Sequence, residues 1–386
     1  MIDKNKVTRP LGEVYKIEKG VPLKNTLNRD SLYSNALIIQ SVYSAFEVNM
    51  FVDSVINDEW DNLEYKARIR QVTLGLGKYL PSNYQDALVI LKKVTMSYVS
   101  GPFVLGLSFP DFIEVFGQEE INLNMSINAL ETFTTFWTSE FAVRPFIIKN
   151  EEYMMQQMLL WAKNENEHIR RLASEGCRPI LPWAISLTKF KKNPALIIPI
   201  LTQLKADSSK YVRKSVANNL NDISKTRSDI VIDIATQWYG NNDYTNWIVK
   251  HGCRTLLKKG NADILALFGL NDVKGIVIKE FILNTNSVVI GDKLSFSFTI
   301  NAKKMTKVRL EYGIDYVKSN GKRSRKNFKI SEIKMKENES KPYTKNHNFI
   351  DLSTRRHYSG THTIVLIING IEMKKLDFEL CSPLKS

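Results

Sequence analysis

One stretch of sequence decides the fold of this chain: Asn166-Glu167-His168-Ile169-Arg170-Arg171-Leu172-Ala173-Ser174-Glu175-Gly176-Cys177-Arg178-Pro179-Ile180-Leu181-Pro182-Trp183-Ala184. Two adjacent arginines lie one helical turn before a carboxylate, and glycine and proline then end the helix ahead of a tryptophan. A variant recurs downstream as Tyr211-Val212-Arg213-Lys214-Ser215-Val216-Ala217-Asn218-Asn219-Leu220-Asn221-Asp222-Ile223-Ser224.

The spacing of these two segments indicates a repeat protein. Their arginines are 43 residues apart, within the period of HEAT-type units of two or three helices. Asn166 and Ser208 are good N-caps for the two helices. A third unit is expected from Asn246 to Gly260, although Gly252 interrupts its helix. Such repeats would build a concave face, suited to phosphates at its rim and a cationic group at its centre.

Helical periodicity continues to about residue 270 and is then replaced by alternation. Leu32–Phe51, for example, carries apolar residues at spacings of three and four, whereas Leu294–Ile300 alternates apolar and polar residues. Asn320-Gly321 and Asn369-Gly370 are typical two-residue hairpin turns. We therefore predict a mostly α fold, with a HEAT-like helical repeat domain over residues 1–268 and a small β-sandwich over residues 274–386.

The charge of the chain favours a polyanionic partner. The formal net charge is +14 over 386 residues, which points to nucleic acid or an anionic membrane. Residues 274–386 hold 22 Lys and Arg against 11 Asp and Glu. The run Lys322-Arg323-Ser324-Arg325-Lys326 follows a hairpin turn, where it could contact DNA or simply be a solvated loop.

Several classes of protein are not indicated. No apolar run is long enough to span a bilayer and no signal peptide opens the chain, so a cytoplasmic, monomeric protein is expected. The three cysteines lie far apart, and the histidines show no metal-ligand spacing. There is no P-loop and no GxGxxG motif. We therefore expect neither a metal nor a nucleotide cofactor.

Three segments carry a resemblance to a known family. Thr138–Phe146, which contains Glu140, resembles the bacterial alkylpurine DNA glycosylases built from HEAT-like repeats, as do Arg170–Trp183 and Val212–Asp222. The run Arg171–Ala184 is similar to the AlkC subgroup, which carries an immunoglobulin-like domain after the repeats. The resemblance implies a monofunctional glycosylase that excises cationic N3-methylated bases, mainly 3-methyladenine, from alkylated double-stranded DNA. It also implies that the base is not flipped into a pocket. An open groove could equally accept 3-methylcytosine.

Three carboxylates are candidates for catalysis. Glu175 and Asp222 each follow a basic pair, and the resemblance adds Glu140. A carboxylate beside the sugar would stabilise an oxocarbenium-like charge and orient the attacking water. The alternatives are a surface pair of Glu175 with Arg171 and a plain helix end at Asp222.

The resemblance also implies that Trp183 contacts the lesion, since an indole face attracts a cationic base. Trp137 and Trp247 are further candidates, and any of the three could instead belong to the core. Basic residues would hold the flanking phosphates. The candidates are Arg144, Arg170, Arg171, Arg178, Arg213, Lys214 and Arg254, with Lys322, Arg323 and Arg325 in the β-domain.

Two other functions fit the same sequence. The first is a non-catalytic HEAT-repeat protein that binds bent or branched DNA. The second is a scaffold for protein partners, which the basic tail makes less fitting. Excision of a methylated base would separate the first of these from the glycosylase, and salt-insensitive binding to a protein would indicate the second.

Overall fold

The computed structural model describes residues 21–98, 103–352 and 356–383. The helices precede all the strands. Those of the described residues are α1 (Arg29–Val42), α2 (Val48–Val55), α3 (Tyr65–Tyr79), α4 (Tyr84–Ser97), α5 (Ser108–Phe116), α6 (Leu123–Thr134), α7 (Val143–Lys149), α8 (Glu151–Trp161), α9 (Glu167–Gly176), α10 (Thr188–Lys192), α11 (Ile198–Gln203), α12 (Lys210–Ile223), α13 (Ser228–Trp238), α14 (Asp243–Gly252), α15 (Arg254–Lys258) and α16 (Ala262–Leu267). Short 3-10 turns lie at Leu23–Thr26, Trp60–Asn62, Val104–Leu107 and Glu120–Asn122.

The strands form two sheets. They are β1 (Ile276–Leu283), β2 (Ser287–Val289), β3 (Lys293–Ala302), β4 (Thr306–Val317), β5 (Arg323–Met335), β6 (Ser340–Asn348), β7 (Gly360–Ile368) and β8 (Ile371–Cys381). The first sheet has the order β1-β3-β6 and the second has the order β2-β8-β7-β4-β5. All neighbouring strands are antiparallel except β2 and β8, which are parallel. The predicted fold class, helices followed by a β-sandwich, is confirmed.

The β-sandwich forms because alternating apolar residues of both sheets share one core. Phe296 and Phe298 of β3 contribute from one sheet, and Leu310 and Leu366 from the other. Both predicted hairpin turns are present, Asn320-Gly321 between β4 and β5 and Asn369-Gly370 between β7 and β8. Asn369 and Gly370 have φ of 48° and 77°, the left-handed conformation that a two-residue turn requires.

The chain divides into two compact units. The first contains the residues up to Arg227 together with Gly240–Gly252, and the second contains Ser228–Tyr239 and the residues from Cys253 onward. Three helices thus belong with the strands rather than with the other helices. Within the second unit the Asn327 amide donates to the Lys258 carbonyl at 3.0 Å, and the Lys307 ammonium donates to the Phe268 carbonyl at 2.7 Å.

Two local predictions in the first unit are wrong. Leu32–Phe51 is two helices, α1 and α2, because the chain turns at Phe46, which is fully buried and packs on Phe51 with 5.2 Å between ring centroids. The N-cap of α12 is Ser209 rather than Ser208. The Asp207 carboxylate accepts from the Ser209 backbone N–H at 2.8 Å. Asn166, by contrast, caps α9 as predicted, since its side chain accepts from the His168 N–H.

Helices α9, α12 and α14 pack in a row, α9 on α12 and α12 on α14. The predicted third unit, Asn246–Gly260, includes most of α14, which runs from Asp243 to Gly252, and all of α15, and these two helices belong to different compact units. A Cβ atom added at Gly252 would lie 3.0 Å from Leu220 Cβ. Gly252 therefore interrupts the predicted helix where α14 approaches α12 closely.

Candidate active site

The packing of α9 against α12 brings two of the predicted carboxylates near each other. Ser174 Oγ and Ser215 Oγ lie 2.7 Å apart, and the Asn219 amide donates to the Ser174 carbonyl at 2.9 Å. These buried polar contacts fix the register of the two helices. Glu175 at the end of α9 and Asp222 near the end of α12 consequently face the same cluster, as the contacts below show.

Glu140 joins this cluster from the turn before α7. Thr138 Oγ1 donates to Glu140 Oε2 at 2.8 Å, and Arg171 Nη1 donates to the same oxygen. The other terminal nitrogen of Arg171 lies 3.6 Å from Glu175 Oε1. The guanidinium also stacks 4.7 Å above the Tyr211 ring. Arg171 therefore links two of the predicted acids.

Arg178 links Glu175 to Asp222. Its Nη1 donates to Glu175 Oε1 at 2.7 Å, and its Nε donates to Asp222 Oδ2 at 2.8 Å. Lys225 Nζ donates to the other Asp222 oxygen at 2.9 Å. Six side chains of alternating sign thus form one connected network, here called the charge ladder: Glu140, Arg171, Glu175, Arg178, Asp222 and Lys225.

The charge ladder holds its arginines in the charged form. Burial lowers the pKa of Arg171, but the charges of Glu140 and Glu175 outweigh burial and raise this pKa above its usual value. The pKa of Arg178 is raised in the same way, with the charges of Glu175 and Asp222 offsetting its burial. A half-buried and a buried arginine next to three carboxylates balance much of the charge that burial would otherwise make costly.

Glu175 differs from the other carboxylates in one respect. It is only 5% exposed, and its Oε2 is buried without a hydrogen-bond partner among the residues that the structure describes. Asp222, in contrast, uses both oxygens. A buried carboxylate oxygen that lacks a partner is costly for the fold. This oxygen therefore has acceptor capacity that no described protein group uses, and it is shielded from solvent in the free protein.

The three predicted lesion-contacting tryptophans lie in different environments. Trp183 is 72% exposed. Trp137 is buried, its ring centroid 5.5 Å from those of Phe103 and Phe109, so its contacts are those of a core residue. Trp247 is partly exposed on α14 and stacks on His251 with 5.0 Å between ring centroids.

Several arginines predicted to bind phosphates form hydrogen bonds or ion pairs with other groups of the protein instead. Arg144 is fully buried and donates to the carbonyls of Ile185, Gly176 and Arg178. Burial lowers the pKa of Arg144 to about 10. A phosphate cannot reach a fully buried guanidinium, so the structure assigns Arg144 to holding the loop after α9. Arg171 and Arg178 are committed to the charge ladder.

Other predicted cations are more accessible. Arg170 forms a bidentate pair with Asp207 and is half-buried, as is Arg254 at the start of α15. Arg213 donates to the carbonyls of Asp207 and Ser208 and stacks 4.0 Å above the Tyr244 ring. Lys214 is exposed.

The basic residues of the β4–β5 hairpin differ in their contacts with the rest of the protein. Lys322 and Lys326 are exposed. Arg323 donates to Thr363 Oγ1 at 2.9 Å, and Arg325 pairs with Asp315 and Glu372. All four basic residues of the run are exposed, and the two arginines are in addition bonded to protein groups.

Sequence reasoning missed the bridging role of Arg178 and the contribution of Lys225. Both stand three residues after a carboxylate, which is a spacing that brings side chains together on a helix. That spacing gave a usable indication of the pairs Glu175–Arg178 and Asp222–Lys225. The spacing could not indicate the pairing of Arg178 with Asp222, because these residues lie 44 residues apart in sequence. Lys66, whose ammonium donates to the Trp183 carbonyl at 2.7 Å, was also missed.

Two features are absent from the described ranges. No group of three or more His, Cys, Asp or Glu residues there could hold a metal ion. Among the helices of the same residues, none is long and apolar enough to cross a membrane.

Comparison with known proteins matches both parts of the chain. Residues 129–256 match the model of the DNA alkylation repair enzyme family, and residues 277–382 match the C-terminal Ig-like domain of the uncharacterised protein YhaZ. The chain is 45% identical to the uncharacterized protein YhaZ of Bacillus subtilis (strain 168), over 93% of this chain and 99% of that protein.

A solved structure matches over the same extent. The alkylpurine DNA glycosylase AlkC of Pseudomonas fluorescens, bound to DNA containing an abasic site analog, is 34% identical with a TM-score of 0.88. The match covers 93% of this chain and 99% of that one. The helical repeats, the Ig-like domain and the family predicted from the sequence are thereby confirmed, and the chain belongs to the AlkC family of DNA alkylation repair enzymes.

Proposed function

We propose that this protein is a monofunctional DNA glycosylase that excises cationic N3-methylated bases, chiefly 3-methyladenine, from alkylated duplex DNA. Membership of the AlkC family supports the reaction class. The observation that carries the proposal is the charge ladder, in which Glu175 is held through one carboxylate oxygen while the other has no partner.

The proposed chemistry is hydrolysis of the N-glycosidic bond. Methylation at N3 gives the base a positive charge, and the electron pair of the breaking bond neutralises it as the base leaves. The sugar then becomes oxocarbenium-like, and a buried carboxylate stabilises that charge. Water adds to C1′ and gives a proton to the carboxylate, which acts as general base. Glu175 Oε2 is our candidate for that oxygen.

Glu140 and Asp222 take part in the proposal as further negative charges near the same centre. Both are paired with cations of the ladder, so they shape the local field while Arg171 and Arg178 keep the three carboxylates apart. Holding like charges at fixed positions before the substrate arrives is electrostatic preorganisation. In this proposal the two arginines position the acids and do not bind phosphate.

Trp183 is the proposed contact to the lesion. Its indole is exposed at the end of the loop that follows α9, where it could lie against a cationic base and attract it through its ring. An exposed indole of this kind suits a base that stays in the duplex stack. Lys214 and the hairpin lysines are the proposed phosphate contacts, because they are exposed.

The test is release of free methylated base from alkylated duplex DNA by the wild type and by Glu175→Gln. We expect the wild type to release 3-methyladenine and the variant to lose about 10²- to 10³-fold in rate. The variant keeps the shape of the side chain and its hydrogen-bonding capacity, so the fold and DNA binding should be retained.

Glu165→Gln is a matched control, since Glu165 lies just before α9 and is exposed. It removes the same charge, and its excision rate should equal that of the wild type. Equal rates for Glu175→Gln and the wild type would exclude the assigned role of Glu175. A wild type that binds DNA tightly and releases no base would instead favour a non-catalytic DNA-binding protein.

A further inference from the structure

The backbone at Trp183 has an unusual conformation. Its φ is +64°, in the left-handed region that non-glycine residues rarely occupy. Its side chain is nevertheless 72% exposed, so core packing of the indole does not enforce this geometry. A strained conformation persists only where surrounding contacts hold it. Trp183 is the third residue of the turn Leu181–Ala184, in which the Ala184 N–H donates to the Leu181 carbonyl at 3.2 Å. A turn with proline in second place favours a positive φ in third place, so contacts from other parts of the fold add to a conformation that the turn already favours.

Two cations from other parts of the fold hold the loop on either side of the indole. Arg144 Nε donates to the Ile185 carbonyl at 2.6 Å. Lys66 Nζ, from the first turn of α3, donates to the Trp183 carbonyl at 2.7 Å. Lys66 is thus the side chain that bonds to the strained residue itself, across 117 residues of sequence.

Lys66 is in turn fixed by an aromatic ring. Its ammonium lies 4.5 Å from the centroid of the Phe141 ring, a cation–π contact. Phe141 directly follows Glu140, the first member of the charge ladder. Lys66 therefore connects the segment that carries Glu140 to the loop that carries Trp183.

A cavity lies beside these contacts and leaves room for the indole to move. Its volume is about 290 Å³, and Lys66, Trp137, Thr138, Phe141 and Trp183 are among the residues that line it. Without a bond to its carbonyl, Trp183 could relax from its left-handed conformation and turn its ring toward this apolar space. The bond from Lys66 opposes that movement.

We propose that Lys66 is a positioning residue that holds Trp183 in its exposed conformation and thereby supports excision. The effect on excision rests on the proposed glycosylase function, whereas the effect on the Trp183 conformation does not. Lys66 need not touch DNA for either effect, because it acts through the Trp183 backbone.

The experiment uses the full chain labelled with 5-fluorotryptophan, in which six tryptophans give fluorine resonances. Trp183→Phe assigns the Trp183 resonance. Lys66→Met keeps the length and apolar stem of the side chain and removes its charge and donors, and Lys66→Arg restores them. Lys78→Met is the matched control, since Lys78 lies on the same helix and stands 5.2 Å from the Tyr79 ring centroid.

We expect the Trp183 resonance to shift or broaden in Lys66→Met, to return in Lys66→Arg and to stay in place in Lys78→Met. The Trp161 resonance, from a buried indole that donates to Glu131, should not change in any variant. Excision kcat/KM should fall about tenfold in Lys66→Met, as expected for the loss of one charge-assisted hydrogen bond, and recover in Lys66→Arg.

An unchanged Trp183 resonance in Lys66→Met would overturn the proposal whatever the excision rate. A shifted resonance with wild-type excision would overturn the part that concerns catalysis. If the wild type releases no base, the proposed function fails, but the fluorine spectra still decide whether Lys66 holds Trp183.

Discussion

The charge ladder and the β4–β5 hairpin look alike in the sequence and are built in opposite ways. Arg170–Arg178, which supplies both arginines of the ladder, and Lys322–Lys326 are short segments dense in basic residues, and both are predicted to contact phosphate. In the ladder, Arg171 is half-buried, Arg178 is buried, and together they pair with three carboxylates. In the hairpin, all four basic residues are exposed, and Arg323 and Arg325 also bond to neighbouring strands.

The difference shows that the number of basic residues does not indicate how many are available to DNA. A guanidinium offers donors in several directions and tolerates burial when carboxylates surround it, so it suits the links of a ladder. A lysine at a hairpin tip remains solvated at little cost in free energy and can neutralise a phosphate on contact. Lysines are accordingly the better candidates for DNA contacts in both regions.

The largest expected effect is a difference in the free energy of unfolding between a variant of the charge ladder and a variant of the hairpin. Arg178→Met leaves Glu175 and Asp222 without their shared cation, and breaking a buried pair in this way costs about 3–5 kcal/mol. Arg325→Met removes pairs that are partly exposed, which contribute about 0–1 kcal/mol. Urea unfolding of both variants measures the difference. Similar losses for the two would mean that the ladder is no more strongly coupled than the hairpin.

A second prediction sharpens the assignment of DNA contacts to the hairpin lysines. Replacing Lys322 and Lys326 together by serine should reduce the salt dependence of DNA binding by about two units of slope, nearly one for each lost phosphate contact. The matched control replaces Lys374 and Lys375, which are exposed on β8, and removes the same charge elsewhere. Binding measured from low to high salt decides the point. Equal slopes for the two double variants would mean that only the net charge matters.

The smallest expected effect is a loss of stability of the β-sandwich as the pH falls. His362 Nδ1 contacts the Gly360 carbonyl at 2.9 Å, and its Nε2 accepts from the Val317 N–H. The ring is therefore neutral in the fold, and burial lowers its pKa below 6.5. Below pH 6.5 the unfolded chain takes up a proton that the folded ring resists, so stability falls as the pH falls.

Thermal unfolding at pH 7.5 and 5.5 tests this prediction. We expect the second unit to lose stability between these values in the wild type, and His362→Gln to show a smaller loss because it removes the titrating group. The charge ladder should be less affected, since its arginines remain charged throughout. A pH dependence that is unchanged in His362→Gln would assign the effect to other groups.

Much of the fold follows from local patterns. The alternation over Leu294–Ile300 gave the β3 strand, and the Asn-Gly pairs gave both hairpins. The helix carrying Glu175 was predicted with its cap. The change in composition near residue 270 did not predict the division into compact units. Helices α13, α15 and α16 precede that point in the sequence but belong to the same compact unit as the strands.

Periodicity and turn chemistry act over a few residues, so the sequence by itself determined the classes of element and the repeat. The positions of Glu175 and Asp222 after basic pairs made them candidates, and the family resemblance added Glu140. The pairing of Arg178 with Asp222, the burial of Arg144 and Trp137, and the bond from Lys66 to Trp183 were decided only by the tertiary structure. Each joins segments far apart in the chain. Whether a charged side chain meets solvent or a distant carboxylate depends on how the helices pack, and no local pattern records that geometry.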